Sequence, residues 1–402
     1  MTAATSPESD TELGHSGSLW RVPSMWRLAV LAAFGFSSFF LTLASLPAWA
    51  VRSGAGSASA GLLTTVMLGC TIAAQMLVPL LQRRLGTPAL LVVGLAALGA
   101  PTPLYLVSHQ FGWLLAASAV RGVGFGVITV LGALLSTAVA PPGRRGEAIG
   151  VYGLSIAVPN LIAVPAGTAL TSVGRFDVVA ILATCPLLAA PLARRFHNVL
   201  APRRRRAGRS DLTAAVRAAA LPSFVLLLVT LAGGGLLTFL PIARPHGPLA
   251  TIALLAMGAT GSLSRWFAGT LHDRTGSRAL MPASLVAAAV GIALVALTLL
   301  GSTEDGAGRV VVLLLGATVF GLGYGAIQNI TQIVAFERAG PEHAVTAASV
   351  WNMAFDGGTG IGAYGIGLIA ATRLDLPGTY LLCAVALVLA LPFSIAATAR
   401  RS

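Results

Sequence analysis

Asp356 is the one carboxylate that falls near the middle of a long apolar run in this chain. Apolar surroundings disfavour the charged form of an acid, so a carboxylate at that depth can take up and release a proton where a surface one stays ionised. The alternative is structural: pairing with Arg265, a cation in another apolar run, or bonding to free backbone groups. Gly357, Gly358, Gly360 and Gly362 beside it allow a neighbouring helix to approach closely. Arg121, also inside an apolar run, suits either an anionic group (Asp356 included) or internal hydrogen bonding. Gln328, Asn329, Thr331 and Gln332 form a polar cluster in which Gln328 and Gln332 share a helical face at i, i+4. Such a cluster either contacts a polar solute or glues helices together. Ser37, Ser38, Phe39 and Phe40, and Thr238 with Phe239, are smaller groups of the same kind, and Asn160 beside Pro159 is placed to repair a kink.

These groups bind solutes and exchange protons; they do not assemble a bond-breaking centre. His15, His109, His197, His246, His272 and His343 are scattered over the tail and the segment ends, and no metal constellation results. The chain has no lysine, so no phosphate-binding G-x-x-x-x-G-K-[ST] loop exists, and its Gly-x-Gly repeats lie within apolar runs rather than after strands. No catalytic pair is found. The chain reads as a non-enzyme without a cofactor.

The elements that must position these residues are helices in lipid. Of 402 residues, 56% are hydrophobic and only 10% charged, far below the ~25% charged typical of soluble proteins. The net charge of +13 therefore concerns membrane orientation rather than nucleic acid. Cys70, Cys185 and Cys383 each lie in an apolar run and read as small buried hydrophobes. The first apolar run is too long for a cleaved leader. Twelve spans are expected, at 25–48, 57–81, 88–107, 112–139, 146–171, 176–193, 219–243, 248–271, 279–301, 309–336, 343–371 and 377–398, since about 20 helical residues cross the hydrocarbon. They form an N-terminal six-helix bundle (25–193) and a C-terminal one (219–398). Around these lie a disordered tail (1–24), a basic linker (194–218) holding Arg203 to Arg206, and a short tail (399–402). The linker reads as a topogenic segment, with anionic lipid as the alternative partner.

With both termini inside, the inner segments hold 19 arginines against five outside, namely Arg52, Arg175, Arg244, Arg309 and Arg373. That asymmetry predicts cytoplasmic termini in an inner or plasma membrane. Trp20, Trp26 and Trp49 bracket the first span as an interfacial belt. The halves also repeat each other. Gly122-Val123-Gly124-Phe125-Gly126 corresponds to Gly321-Leu322-Gly323-Tyr324-Gly325, and the turn at Leu81–Gly86 to that at Leu271–Gly276. Repeated halves with a site at their interface near the midplane are the pattern of secondary transporters.

The charged turn between 248–271 and 279–301 carries Gly269, Leu271, Asp273, Arg274, Gly276 and Arg278. These residues meet every position of the G-x-L-x-D-R-x-G-x-R signature of the major facilitator superfamily, which the chain resembles over 25–400. The first copy keeps Leu81, Arg84 and Gly86 but has Pro79, Arg83 and Pro88 at the other positions. The fourth span resembles the family's R-x-x-q-G pattern, with Ser118 and Arg121 at its two polar positions. Gly150, Gly153, Pro159, Pro165 and Gly167 form a degenerate copy of its antiporter G-P-x-x-G-G signature.

The resemblance implies an all-α fold of two pseudo-symmetric six-helix bundles, and alternating access for a small organic molecule by a monomer. It points to an efflux permease driven by proton antiport, with a proton-coupled importer as the alternative and a membrane enzyme or lipid-handling protein as a remote third. It further implies that spans one, four, seven and ten line the cavity, so that Gln328, Asn329 and Gln332, with Arg121, Ser38 and Thr238 as further candidates, belong to the substrate pathway; Asp356, on the eleventh span, joins it as the proton carrier read from its place in an apolar run. The signature loops become cytoplasmic latches, with Asp273 facing Arg145, Arg274 facing Glu147, and Arg83 facing Glu342. Gly233-Gly234-Gly235 is expected to bend the seventh span as a gate.

Overall fold

The computed structural model describes residues 22–108, 110–140, 145–196, 209–245, 247–300, 306–340 and 343–399. All twelve expected spans are helical. The first is α1 (Pro23–Leu43) with α2 (Ser45–Arg52), and the second is α3 (Ser57–Leu85). The third is α4 (Thr87–Gly99) with a 3-10 turn (Thr102–Leu106). Then come α5 (Phe111–Ala138), α6 (Arg145–Ser172), and α7 (Phe176–Leu182) with α8 (Pro186–Ala193). The second half has α9 (Arg209–Ala243), α10 (Leu249–Thr275), α11 (Ser277–Thr298), α12 (Ala307–Ala339) and α13 (Ala344–Ala370). It ends with α14 (Asp375–Leu389) and α15 (Leu391–Thr398). Ten spans are long and apolar enough to cross a membrane on composition alone; α10 and α13, at 27 residues each, also have the length.

Four spans are broken, and prolines account for the positions. A proline ring clashes with the carbonyl four residues before it. Pro47, Pro103 and Pro186 stand four residues after Leu43, Gly99 and Leu182, where α1, α4 and α7 end. Pro392 likewise follows the end of α14 at Leu389. Pro159, Pro165, Pro222, Pro241 and Pro282 are instead accommodated within unbroken helices.

The twin glycine motifs do the same work in each half. A side chain at Gly122 or Gly126 would strike the backbone carbonyl of Met67 or Thr71 on α3, and one at Gly124 the backbone of α4 around Gly94 and Leu98. In the second half Gly321 and Gly325 meet Met257 and Gly261 on α10, while Gly323 meets Ser284 and Ala288 on α11. So α5 is wedged between α3 and α4 as α12 is between α10 and α11, with backbones close enough for dispersion forces to hold the helices together in lipid. Gly323→Leu is expected to cost about 1–3 kcal/mol or more through overpacking, read as a lowered unfolding midpoint of the detergent-purified protein.

The signature turns are also equivalent. Gly86 (φ 75°, ψ 159°) and Gly276 (φ 73°, ψ 164°) each break one helix from the next in the left-handed region that favours glycine. Their N–H groups bond Gln82 O at 2.9 Å and His272 O at 2.8 Å. The turn is shorter than its charge pattern suggests: α10 runs on to Thr275, so Gly269, Asp273 and Arg274 lie on helix, as Arg83 and Arg84 do at the end of α3. Arg84 and Arg278 are exposed. The side chains of Arg83, Asp273, Arg274, Arg145 and Glu147, and the whole of Glu342, lie outside the described residues, and with them all three latches. So do residues 1–21, Arg203 to Arg206 and 400–402. At the described edges, α1 starts at Pro23, before the expected Met25, and α9 at Arg209, within the expected linker.

The two bundles meet along α3 and α13. Positions 61, 65, 68, 72 and 75 of α3, spaced as a coiled-coil seam, face α13. A side chain at Gly61 would strike the Ala363 carbonyl, the Thr65 hydroxyl bonds Gly360 O, and Leu68 and Ile72 lie against Gly360 and Gly357. Gln75 Nε2 then donates to Asp356 Oδ2 at 3.0 Å. Among the described residues this is the last hydrogen bond of the seam toward the end of the molecule where α1 begins and α15 stops. One turn beyond it, Met353 is exposed. On the opposite side of the interface, near the far end, Thr251 of α10 bonds Thr168 of α6 at 3.2 Å. Among the described residues, the hydrogen bonds that join the bundles lie between the middle and the far end of the interface.

Candidate functional site

Where the seam stops, polar groups from five helices converge. Asp356, at the centre of α13, is buried and accepts from Gln75 of α3. Gln75 is aimed by a second donation to Thr129 Oγ1 of α5 at 3.3 Å, and Thr129 in turn donates to Gly126 O at 3.0 Å. Charge-assisted bonds of this kind are stronger than neutral ones. On α10, Arg265 Nη1 donates to Gln328 Oε1 of α12 at 3.1 Å, and Asn329 Nδ2 donates to the Arg265 carbonyl at 2.7 Å. Tyr324 stands within electrostatic range of both Arg265 and Asp356. Arg265 and Asp356 themselves form no ion pair: each is held by an amide instead.

Aromatic rings flank this centre. Tyr324 lies 5.7 Å from Phe320 and 6.5 Å from Phe355, which stacks on Trp351 at 5.8 Å and 19°. The indole N–H of Trp351 bonds Thr331 Oγ1 at 3.0 Å. In the N-terminal bundle, Phe39 and Phe125 stack at 4.0 Å, with Phe36, Phe40 and Tyr152 grouped around them. Phe40 packs against the cores of both bundles.

Arg121 and Ser38 lie elsewhere, enclosed in the N-terminal bundle. The guanidinium is fully buried and makes five hydrogen bonds, to Leu98 O (3.0 Å), Thr42 Oγ1 (2.8 Å), Tyr105 Oη (3.4 Å), Ser38 O (2.9 Å) and Ser38 Oγ (3.2 Å). Its carbon lies 5.7 Å over the Tyr105 ring. Of the alternatives for Arg121, internal hydrogen bonding is the one present, and the guanidinium does not pair with Asp356; nor does Asp356 pair with Arg265. Gln328 joins the central group, Gln332 is half-buried beyond it, and Thr238 is sealed within α9 and its neighbours. Helix α9 runs unbroken through the triple glycine, where Gly233 fits under the Tyr324 ring and Gly234 and Gly235 receive Thr359 and Ile366 of α13. A small crevice at the far end, lined by Arg52, Thr171, Arg244 and Thr251 among others, is separate from the central group.

Sequence reasoning misses Gln75, Tyr324 and Trp351. Gln75 had a usable signal, being the only carboxamide in its apolar run.

Two pseudo-symmetric six-span bundles meeting at a polar centre define a secondary transporter of the alternating-access type. The chain matches the model of the Major Facilitator Superfamily over residues 25–363, and it belongs to that superfamily. It is a secondary transporter of a small solute, in a family of carriers rather than enzymes. Among solved structures it is similar to a bacterial homologue of the human lysosomal transporter Spinster, inward-facing and unoccupied, with TM-score 0.75 and 16% identity over 95% of this chain and 98% of that one. The occupied inward-facing form gives TM-score 0.73 at 16% identity, covering 96% and 99%. A point mutant of the nucleoside transporter NupG gives 0.69 at 14%, covering 94% and 100%. At these identities the likeness is one of fold. No curated protein matches the chain.

Proposed function

We propose that this carrier exports a small organic molecule in exchange for protons, with Asp356 as the proton-binding group and both termini in the cytoplasm of an inner- or plasma-membrane protein. The observation that carries the reading is the Gln75–Asp356 bond across the bundle interface. An ionised Asp356 ties α3 to α13, and so holds the far end closed when the protein carries neither proton nor solute. An exchanger needs that restraint, because an empty carrier that reorients freely dissipates the gradient. A symporter needs the opposite, free return of the empty carrier, so the bond favours antiport over the importer.

Protonation of Asp356 turns a charge-assisted bond into a weaker neutral one, which lets the seam part. A solute bound between the aromatic groups competes for the same interface and achieves the same end. Gln328, Asn329 and Gln332 supply hydrogen bonds to that solute, and the degenerate antiporter signature of α6 is consistent with the direction.

Counterflow screening in proteoliposomes tests the reading. An acidic lumen is expected to drive accumulation of the identified solute, at the expense of outward proton flow. Accumulation driven only by acid outside would replace antiport with symport.

A further inference from the structure

Of the two cations inside the spans, Arg121 is saturated by its five protein acceptors. Arg265 is not. Its guanidinium has five N–H donors, and its side chain has one protein acceptor among the described residues, the neutral Gln328 Oε1 at 3.1 Å. It is exposed, although it lies two-thirds of the way along a membrane-spanning helix and at the level of Tyr324 and Asp356. The carboxylate that could neutralise it is turned away onto Gln75 in the other bundle. Gln328 fixes one corner of the guanidinium, and Asn329 clamps the α10 backbone at the same residue through a 2.7 Å bond. The fork is therefore oriented, with its remaining donors free to meet a ligand.

A charged side chain within a membrane-spanning helix is rarely kept without a partner or a role in the solute pathway. Beside it stand the half-buried rings of Tyr324 and Phe355, backed by the buried Trp351, and their open edges suit an apolar body. We infer that the solute is an organic anion: its oxyanion, a carboxylate or one of similar size, docks on Arg265 beside Gln328, and its apolar or aromatic body lies against Tyr324 and Phe355. This inference rests on the carrier reading above and names the substrate class for the same site. It also separates two tasks, with Arg265 holding the solute and Asp356 holding the proton.

Three probes with one body and different charge test it: 2-naphthoate, 2-naphthamide and 2-naphthylmethylammonium, titrated calorimetrically into the full-length protein in nanodiscs. Hydrogen bonds to a charged group correspond to about tenfold or more in affinity, so 2-naphthoate is expected to bind at least about tenfold more tightly than the amide. In Arg265→Gln that preference is expected to fall to near unity, with part of it kept in Arg265→Lys, which retains charge without the fork.

Equal binding of acid and amide, preference for the ammonium, binding of none of the three, or an acid preference that survives Arg265→Gln would each overturn the inference. Failure of the carrier reading is read separately, from the distance between spin labels at Ser53→Cys and Arg373→Cys on the two bundles. Two distance populations without anion preference sink the inference alone, whereas a single fixed population sinks the alternating-access reading.

Discussion

Asp356→Asn is expected to remove pH-driven accumulation down to the level of protein-free liposomes, while solute-for-solute exchange continues. The substitution is nearly isosteric, and the Asn oxygen still accepts from Gln75 Nε2, now 3.0 Å from the carboxylate. The seam from Gly61 to Gln75 keeps its register, so folding and solute binding are preserved and only the titratable group is lost. Accumulation in proteoliposomes with an acid lumen, measured beside counterflow at equal pH, separates the two. Undiminished pH-driven uptake by the variant rejects the proton role.

Gln75→Leu makes the complementary change. It leaves the carboxylate but removes its donor from the other bundle, a bond to a charged group of about 1.5–3 kcal/mol. The carrier that holds neither ligand then reorients more easily. Substrate-independent proton leak, followed with a pH dye in the lumen, is expected to rise. A leak in Asp356→Asn but none in Gln75→Leu would separate the proton site from the tie between bundles.

The residues that betray the fold in the sequence are those whose constraint is local. Backbone groups in lipid must bond within their own segment, so long apolar runs announce helices. The Gly122–Gly126 and Gly321–Gly325 repeats announce two of the places where helices touch backbone to backbone. The turn at 269–278 reads too long in the sequence because charge marks where lipid ends, whereas the helix ends only where a residue leaves helical geometry, at Gly276. The broken spans are legible in principle from Pro47, Pro103, Pro186 and Pro392, since each break follows from one steric clash.

Asp356 is legible as a carboxylate with no business in lipid. Its partner is not, because the pairing with Gln75 depends on the register between α3 and α13. That register is set by the approach of Gly61 to Ala363 and of Thr65 to Gly360, contacts between halves some 300 residues apart. Arg265 stands out in the sequence only as a charge within a helix, because its lack of a compensating carboxylate is a property of the assembled site.

Arg121 shows the same limit from the other side, and carries the second large prediction. A role as a pathway cation is plausible from residue type alone, but three of its acceptors are hydroxyls and two are main-chain carbonyls, those of Leu98 and Ser38. They come from α1, from the end of α4 and from the turn after it, so one planar guanidinium ties three elements of the N-terminal bundle together. Arg121→Leu removes every one of these bonds and leaves buried oxygens facing an apolar side chain. At about 1–3 kcal/mol per buried group left without its partner, an overall loss of roughly 3–5 kcal/mol is expected, comparable to breaking a buried ion pair. It is measured as a lowered unfolding midpoint in detergent and poor recovery from membranes. Arg121→Lys is expected to restore less than half of that, because a single ammonium cannot span the Leu98 and Ser38 carbonyls at once. A stable Arg121→Leu protein that has lost transport would instead return Arg121 to the solute pathway.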